Sequence, residues 1–371
     1  MNSNSDTSAD GNGALRPFNV GVSLQHDLYG LGEAVMKSRA IQAFDNAATR
    51  FPIHRVLRCA ARRPLEIVFD DLALNFGLTA QRLDTGSLLL DGAGVFAEAE
   101  GWQHAGYCSC RFNVWAASVE RVEQVRATVF RIIGDDRVRD QLFVIDWRFA
   151  NRRGQLCSTS FEELADDDLL DEAYPMLGRP VQEFVDQYVQ APEAVLILLG
   201  PPGTGKTRLV RAILSALSRR KGDSAEVLYT ADRTALKSDE LFVAFATGTH
   251  DAFVIEDADY LLQPRTDGNL DVHRFLMVAD GVVRAQNRKL LFTTNLPNVG
   301  AIDNALQRPG RCFATVPVRL LSTPEVGRLA GRMSHGDEEL ASRVVRRSLP
   351  DGHGTASLAT VYKAFNAEKP V

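Results

Sequence analysis

The segment from residue 200 to residue 207 constrains this chain more than any other, and it reads Gly-Pro-Pro-Gly-Thr-Gly-Lys-Thr. The apolar stretch Ala194 to Leu199 precedes it, and apolar residues at helical spacing follow it. A short apolar run, a glycine-rich loop and an amphipathic pattern in this order predict a buried strand, a tight turn and a helix. The segment is therefore predicted to be a phosphate-binding loop between a strand and a helix.

Each residue type in the loop has a physical reason. Gly200, Gly203 and Gly205 can adopt conformations that turn backbone N–H groups inward, and the following helix directs its free N–H groups and positive dipole end at an anion. Lys206 supplies a positive charge near the β- and γ-phosphates of a nucleotide, and the Thr207 hydroxyl is a predicted Mg²⁺ ligand. The residues predicted to bind ATP are Gly200, Pro202, Gly203, Thr204, Gly205, Lys206, Thr207 and Arg208.

Length and composition narrow the class of protein. A chain of 371 residues with 45% hydrophobic and 24% charged residues is typical of two soluble globular domains. The formal net charge of −5 disfavours a protein dominated by nucleic-acid binding. The five cysteines lack metal-site spacing, and no apolar run of membrane-spanning length occurs, so we expect a cytoplasmic protein without a membrane anchor.

Changes in composition predict four segments. We expect a disordered tail at 1–15, an N-terminal domain at 16–157, a core at 158–322 that begins with an acidic linker, and a helical lid at 323–371. In the lid, residues 322 to 325, Ser-Thr-Pro-Glu, predict a capping box at a helix start, and further helices are predicted at 338–348 and 357–365. In the N-terminal domain the patterns predict a helix near 32–49, strands near 65–69 and 87–90, and a β-α-β unit over 111–149. This domain is therefore predicted to be α/β or α+β.

The N-terminal domain shows no catalytic constellation. His54 and His104 stand alone, and core packing is the favoured interpretation of Trp102 and Trp115. Because the domain carries no chemistry of its own, we expect it to select a protein partner.

The core shows further strand patterns at 226–230, 252–255, 289–294 and 314–320. Strands that alternate with helices predict a parallel sheet, and ligands bind at the carboxyl ends of such strands. Glu256 and Asp257 follow the third core strand and Asn295 follows the fourth, so all three are expected near the phosphates.

Residues 178 to 322 resemble the AAA ATPase family. The acidic pair after the third strand resembles the Walker B motif, Thr293-Thr294-Asn295 resembles sensor 1, and residues 305 to 311, Ala-Leu-Gln-Arg-Pro-Gly-Arg, resemble a characteristic family segment. The resemblance implies a phosphate-loop sheet core with a small helical lid, ATP and Mg²⁺ as ligands, and ATP hydrolysis. It also implies that Arg308 and Arg311 reach the γ-phosphate of a neighbouring subunit, and hence a homo-oligomeric ring, a hexamer in this family.

The order of the two acids departs from most of the family, which has Asp-Glu. The order Glu256-Asp257 resembles the branch of the mitochondrial ATPase that translocates the folded Rieske protein. We assign Glu256 to the metal and Asp257 to the attacking water, which Asn295 helps to position. Two alternatives stay open: Asp257 at the metal with Asp259 as base, or a pair of acids that only caps the next helix.

A second departure concerns the loop after the second core strand. Unfoldases of the family that this chain resembles typically carry an aromatic pore residue in this loop. Residues 231 to 238 of this chain read Ala-Asp-Arg-Thr-Ala-Leu-Lys-Ser and contain no aromatic residue. The lid, in addition, offers no clear sensor 2 arginine. Processive threading of an unfolded chain is therefore disfavoured.

Three functions follow as hypotheses. The favoured one is a ring-forming ATPase that remodels or translocates a protein partner chosen by the N-terminal domain. The second is a slowly hydrolysing nucleotide switch or scaffold, suggested by the acid order and the missing pore aromatic. The third is a DNA-linked ATPase, which rests on Arg233, Lys237 and the basic cluster Arg55, Arg58, Arg62 and Arg63.

Overall fold

The computed structural model describes residue 38 and residues 53–82, 85–138, 142–164, 169–264, 272–279 and 288–368. The chain divides into two compact units, and the division falls between Arg137 and Val138. The tail lies outside the described residues, and so does the helix predicted near 32–49 except for residue 38. Within the described ranges, no helix is long and apolar enough to cross a bilayer.

The N-terminal unit is a six-stranded sheet with two helices. The strand order is β2-β3-β4-β5-β1-β6, and the pairs from β2 to β1 are antiparallel. The strands are β1 (Ile53–Ala61), β2 (Thr79–Arg82), β3 (Ser87–Gly92), β4 (Val95–His104), β5 (Tyr107–Ala116) and β6 (Arg137–Val138). The helices are α1 (Leu65–Asn75) and α2 (Val119–Ile133), and both bury their apolar side chains in the same core as the strands.

Residues 65 to 69 form the start of helix α1, so the strand predicted there is wrong. Leu65, Val68 and Phe69 are buried together with Leu72, which is the 3–4 spacing of a helix face. Pro64 precedes the helix, where its fixed φ and missing N–H are tolerated. The five-residue window was too short to distinguish this helix from a buried strand.

The second unit is built on a seven-stranded sheet with the order β13-β9-β12-β11-β10-β7-β8. All neighbouring strands are parallel except β8, which runs antiparallel to β7. The strands are β7 (Leu142–Ala150), β8 (Leu156–Leu164), β9 (Val195–Leu199), β10 (Ala225–Thr230), β11 (Ala252–Ile255), β12 (Lys289–Thr294) and β13 (Cys312–Pro317). The α/β fold class predicted from the sequence is confirmed.

Helices connect these strands and cover the sheet. They are α3 (Val181–Gln190), α4 (Lys206–Lys221), α5 (Asp239–Thr247), α6 (Asp259–Leu262) and α7 (Val272–Ala279). The first N–H of α3 donates to the Asp171 carboxylate at 2.7 Å, so one acid of the predicted linker caps this helix.

The boundary between the units was predicted at residue 157 but lies at residue 137. The two strands of the predicted β-α-β unit belong to different sheets, so that prediction is wrong. Strand β7 pairs with β10 in the core sheet, and β8 is an edge strand of that sheet rather than a linker. Phe143 of β7 is fully buried in the same apolar cluster as helix α4. A strand pattern predicts a strand but not its partner, and here the partner lies more than seventy residues away along the chain.

A helical lid follows the sheet. It contains the short ladder β14 (Leu321–Ser322) with β15 (Thr355–Ala356) and the helices α8 (Thr323–Met333), α9 (Glu338–Ser348) and α10 (Leu358–Glu368). The predicted capping box at α8 is present, because Ser322 and Glu325 bond each other's backbone groups. Lid helices therefore begin and end close to where the sequence signals place them.

The Arg319–Glu325 pair at the base of the lid predicts an acid-sensitive element of stability. Both terminal nitrogens of Arg319 donate to Glu325 at 2.7 Å, and these bonds, with those from Ser322, lower the pKa of Glu325 to about 2 although burial opposes the shift. Because the folded-state pKa lies below the unfolded value, this stability is present above about pH 4.5 and is lost as the pH falls towards 2. We expect about 1 kcal/mol, since Arg319 is half exposed to screening solvent.

Urea unfolding between pH 6 and pH 3 measures this contribution. Glu325→Gln should lose the stability at pH 6 and vary less with pH than the unchanged protein. Equal pH dependence of the two proteins would contradict the assignment.

Candidate functional site

A cavity of about 530 Å³ lies at the carboxyl ends of β9, β11 and β12. It brings together the phosphate loop, the acidic pair after β11, the end of β12 and the start of helix α10. Its lining residues are Pro202, Gly203, Thr204, Gly205, Lys206, Thr207, Arg208, Glu256, Asp257, Thr293, Asn295, Leu358, Ala359 and Tyr362. Apart from Gly200, every residue predicted to bind nucleotide is in this wall.

Two positions of the loop accept no side chain. A Cβ atom on Gly200 would lie 1.9 Å from the carbonyl oxygen of Val318. Gly205 has a φ of 95°, and a Cβ atom there would lie 2.6 Å from Leu358 and 2.7 Å from the Tyr174 hydroxyl. The loop thus lies between Val318, which follows β13, and the side chains of Tyr174 and Leu358, and glycine is required at both positions.

The cavity fits a nucleoside triphosphate. Among the described residues, no acceptor bonds the backbone N–H groups of Gly203, Thr204 and Gly205. Helix α4 starts at the next residue, so its dipole adds to these donors at the same point. A volume of about 530 Å³ is within the range of small-ligand sites.

Lys206 is 92% buried, and its ammonium group has three acceptors. Nζ donates to the carbonyl oxygens of Gly200 at 2.6 Å and Pro201 at 3.1 Å, and to Oδ1 of Asn295 at 2.9 Å. Burial lowers the pKa of Lys206, and the charges of the acids 256, 257 and 259 oppose that shift. The positive charge therefore lies between the loop and the acidic pair.

Glu256 is held by two hydroxyl groups. Thr207 donates to its Oε1 at 2.7 Å, and Tyr229 donates to its Oε2 at 2.8 Å. Burial and the neighbouring carboxylate raise the pKa of Tyr229, so its hydroxyl stays a donor. The hydroxyl and carboxylate oxygens of Thr207 and Glu256 are hard ligands that suit Mg²⁺.

Asp257 and Asn295 form a second pair on the cavity wall. The Asn295 side-chain amide donates to Oδ1 of Asp257 at 3.0 Å, and the Asp257 N–H donates to Thr293 Oγ1 at 3.2 Å. Asp257 has a φ of 48°, a left-handed conformation that aspartate tolerates better than most residues. Such backbone strain is concentrated at functional sites.

Asp259 has a different position. Its Oδ1 accepts from the Thr294 hydroxyl at 2.5 Å and from the Asn295 N–H at 2.7 Å, and it does not line the cavity. Asp259 therefore supports the turn that carries Asn295. This arrangement favours Glu256 and Asp257 over the alternative pair Asp257 and Asp259 as the groups that act on metal and water.

Arg308 and Arg311 are not part of this cavity wall. Arg308 is exposed, and Arg311 is half-buried and donates to the carbonyl oxygen of Ala305. Both precede β13 and so lie at the amino end of that strand, whereas the cavity is at the carboxyl ends. Within this chain, the two arginines and the acidic pair are at opposite ends of the sheet.

The sequence reasoning missed residues from the lid and from β10. Tyr229, Leu358, Ala359 and Tyr362 were not predicted, yet the first holds Glu256 and the others line the cavity. The Ala359 N–H donates to the Gly203 carbonyl at 2.9 Å. The only sequence signal was the position of Tyr229 near the carboxyl end of a core strand, since nothing in the lid sequence shows which residues meet the loop.

The loop after β10 is held in place by Asp232. Its carboxylate accepts from the N–H groups of Ala150, Thr234 and Ala235. The Arg233 guanidinium lies 4.4 Å from the ring centre of Tyr260. The loop therefore presents no aromatic side chain of its own, as its sequence shows.

Comparison with known proteins identifies the domain that carries this site. Residues 196–320 match the model of the ATPase family associated with various cellular activities, AAA. This segment is similar to AAA ATPase domains. Its limits enclose the phosphate loop, both acids, Asn295 and both arginines.

Three of the matching relatives are 28–31% identical to this chain. The 26S proteasome regulatory subunit 10B of Dictyostelium discoideum is 31% identical over 197 residues, 48% of each chain. An AAA ATPase forming ring-shaped complexes from Bifidobacterium dentium is 29% identical over 39% of this chain and 30% of its own. A mitochondrial AAA-ATPase of Arabidopsis thaliana is 28% identical over 45% of this chain and 41% of its own. The chain thus spans about half or less of these relatives.

Tyr229→Phe tests how Glu256 is oriented on the cavity wall. Loss of one hydroxyl donor should weaken Mg²⁺ binding about 10- to 100-fold, because outer-shell hydrogen bonds orient metal ligands. Binding of a fluorescent ATP analogue, titrated with Mg²⁺, measures this effect without turnover. Tyr260→Phe is the matched control, since the Tyr260 hydroxyl bonds the Arg233 carbonyl instead. An unchanged Mg²⁺ requirement in Tyr229→Phe would contradict the assignment.

Proposed function

We propose that this protein is a ring-forming AAA ATPase that uses ATP hydrolysis to remodel or translocate a protein partner. The observation that carries the proposal is the single cavity wall shared by Lys206, Thr207, Glu256, Asp257 and Asn295. These residues come from three separate strand ends, and together they supply the cation, metal ligands and water-orienting groups of phosphoryl transfer.

The proposed chemistry divides among these groups. The loop amides and Lys206 bind the phosphates, and Thr207 and Glu256 hold Mg²⁺, which neutralises charge on the phosphate oxygens when it is bound. Asp257 accepts hydrogen bonds and, with Asn295, orients the attacking water and receives its proton. The Asn295 amide links Lys206 to Asp257, so one side chain contacts both the phosphate-binding and the water-binding group.

The proposed ring follows from the position of the arginines. An exposed Arg308 at the opposite end of the sheet reaches a γ-phosphate only in a neighbouring subunit, which requires head-to-tail contacts. The Bifidobacterium relative bears a name that describes ring-shaped complexes. For this chain we propose a closed homo-oligomer, and a hexamer as its size.

The proposed partner is a protein, as proteasomal relatives and the separate N-terminal unit suggest. The Glu-Asp order and the loop without an aromatic residue favour the branch that resembles the Rieske-protein translocase. In that case the ring would move or remodel a folded partner rather than thread an unfolded chain, and the N-terminal unit would select it. A cytoplasmic location is part of this proposal.

One observation favours a slow nucleotide switch as a second candidate. Asp257 is one methylene shorter than the glutamate at this position in most of the family, and its backbone is held at a φ of 48°. If the carboxylate does not reach the water, ATP binds but turns over slowly.

The basic cluster behind the DNA hypothesis is partly neutralised, because Arg63 pairs with Asp71 at 2.8 Å and Asp136 at 3.2 Å.

Steady-state ATPase activity, measured across protein concentration together with particle mass, tests the proposal. We expect the specific activity to rise as larger particles form. Particle mass is measured both with and without ATP. Lys206→Ala is the control and should lose nucleotide binding. Tightly bound nucleotide with negligible turnover at every concentration would reject the motor and support the switch.

A further inference from the structure

Strand β7 lies outside the segment that matches the AAA family, yet it holds the end of β10, which bears Tyr229. Tyr229 pairs with Trp147 in the parallel register of the two strands. The next residue, Thr230, is buried, and its hydroxyl donates to the carbonyl oxygen of Arg148 at 2.8 Å. These contacts fix the backbone that bears Tyr229 and leave the direction of its ring to side-chain packing.

The indole of Trp147 packs against the ring of Tyr229. The two ring centres are 6.4 Å apart and the ring planes make an angle of 75°, which is an edge-to-face arrangement. Phe149, two residues along the same face of β7, has its ring centre 5.5 Å from that of Trp147. Trp147 is 41% exposed and belongs to none of the apolar cores that the described residues form. Its packing therefore supports Tyr229 rather than a buried core.

The opposite face of β7 is held by a polar cluster. Oδ2 of Asp146 lies 2.7 Å from the Arg148 guanidinium and 3.2 Å from Nε2 of His250, which precedes β11. Side chains alternate between the faces of a strand, so Asp146 and Arg148 are on the face of β7 opposite to Trp147. Strand β7 is thus bonded to its neighbours on one face and carries the indole on the other.

The direction of the Tyr229 ring matters at Glu256. A glutamate side chain has several rotatable bonds, and hydrogen bonds to its two oxygens decide where the carboxylate points. Thr207 donates to one oxygen and Tyr229 to the other. Because Thr207 is itself a proposed Mg²⁺ ligand, Tyr229 is the donor that remains free to orient the carboxylate when the metal is bound.

We propose that Trp147 is a positioning residue of the metal site, because its indole fixes the ring of Tyr229 and the Tyr229 hydroxyl orients Glu256 for Mg²⁺. The contacts run from β7 through β10 to the acid that follows β11. Trp147 does not line the nucleotide cavity, so it acts through Tyr229. The inference rests on the proposed function, since that function assigns Glu256 to the metal.

The Mg²⁺ concentration at half-maximal binding of the fluorescent ATP analogue tests this role without turnover. Trp147→Ala should raise that concentration about 2- to 10-fold, because an aromatic pair contributes a factor of this size to the preferred orientation of its rings. Trp147→Phe should recover most of the loss, since it keeps a ring beside Tyr229. Trp102→Ala is the matched control, because Trp102 is 45% exposed in the other unit and should leave the Mg²⁺ requirement unchanged. Binding at saturating Mg²⁺ should persist in every variant, which shows that the cavity is folded.

A double-mutant cycle separates positioning from a general loss of stability. If Trp147 acts through the Tyr229 hydroxyl, Trp147→Ala should change the Mg²⁺ requirement little in a Tyr229→Phe background, where that hydroxyl is absent. An equal shift in both backgrounds, or no shift in Trp147→Ala alone, would overturn the positioning role and leave the proposed function in place. Wild-type protein that fails to bind the analogue at any Mg²⁺ concentration would overturn the proposed function, and this inference with it.

Discussion

Arg308→Ala is expected to lower ATP turnover by about 10³ to 10⁵ while nucleotide affinity changes little. An arginine that meets the γ-phosphate stabilises charge that develops in the transition state, and related phosphate-loop enzymes lose this factor without it. In this protein Arg308 is exposed and lies at the opposite end of the sheet from the acidic pair. Arg308 should therefore act only on the nucleotide of a neighbouring subunit. Turnover measured above the protein concentration at which the subunits assemble reveals this effect.

Mixed assemblies provide the control for the arginine. Subunits with Arg308→Ala retain Asp257, and subunits with Asp257→Asn retain Arg308, so a mixed ring contains interfaces in which both groups are present. Activity should rise on mixing two inactive preparations. An inactive mixture with ring-sized particles would show that Arg308 does not act on a neighbouring site.

Asp257→Asn is expected to lower turnover by about 10² to 10⁴ and to leave ATP and Mg²⁺ binding intact, because the substitution removes the group that receives the proton. Asparagine tolerates the left-handed φ of 48° and keeps an acceptor for the Asn295 amide. The change is therefore one of charge with little change of shape. Single-turnover hydrolysis measures the chemical step directly.

Asp259→Asn separates the two possible assignments of the acids. Asp259 supports the turn after β12 through bonds from Thr294 and Asn295. Its substitution should therefore lower the thermal midpoint of unfolding and change the rate of the chemical step little. Loss of the chemical step in Asp259→Asn, with turnover preserved in Asp257→Asn, would transfer the role of base to Asp259.

Local sequence signals were sufficient where neighbours in the chain decide the structure. The glycines lie in the turn between β9 and α4, and Lys206 and Thr207 begin α4, so the spacing alone predicted the strand, the turn and the helix. The lid helix α9 starts at a cap, Asp337, and the predicted bounds match the structure because capping is a local hydrogen bond. Parallel strand ends brought Glu256, Asp257 and Asn295 together as expected, since the alternating pattern predicts their common edge.

Long-range pairing decided the rest. The membership of β7 and β8 in the core sheet depends on the pairing of Leu228 with Asp146, which no local pattern encodes. The bond from Tyr229 to Glu256 and the contact of the lid with the loop likewise depend on how separate elements pack. By itself the sequence determined the phosphate loop, the two acids and the strands that each of them follows, because these are local or periodic features. Only the tertiary structure decided which hydroxyl orients Glu256, which strands complete the sheet and which aromatic face stays exposed, because burial and contact are properties of residues far apart in the chain.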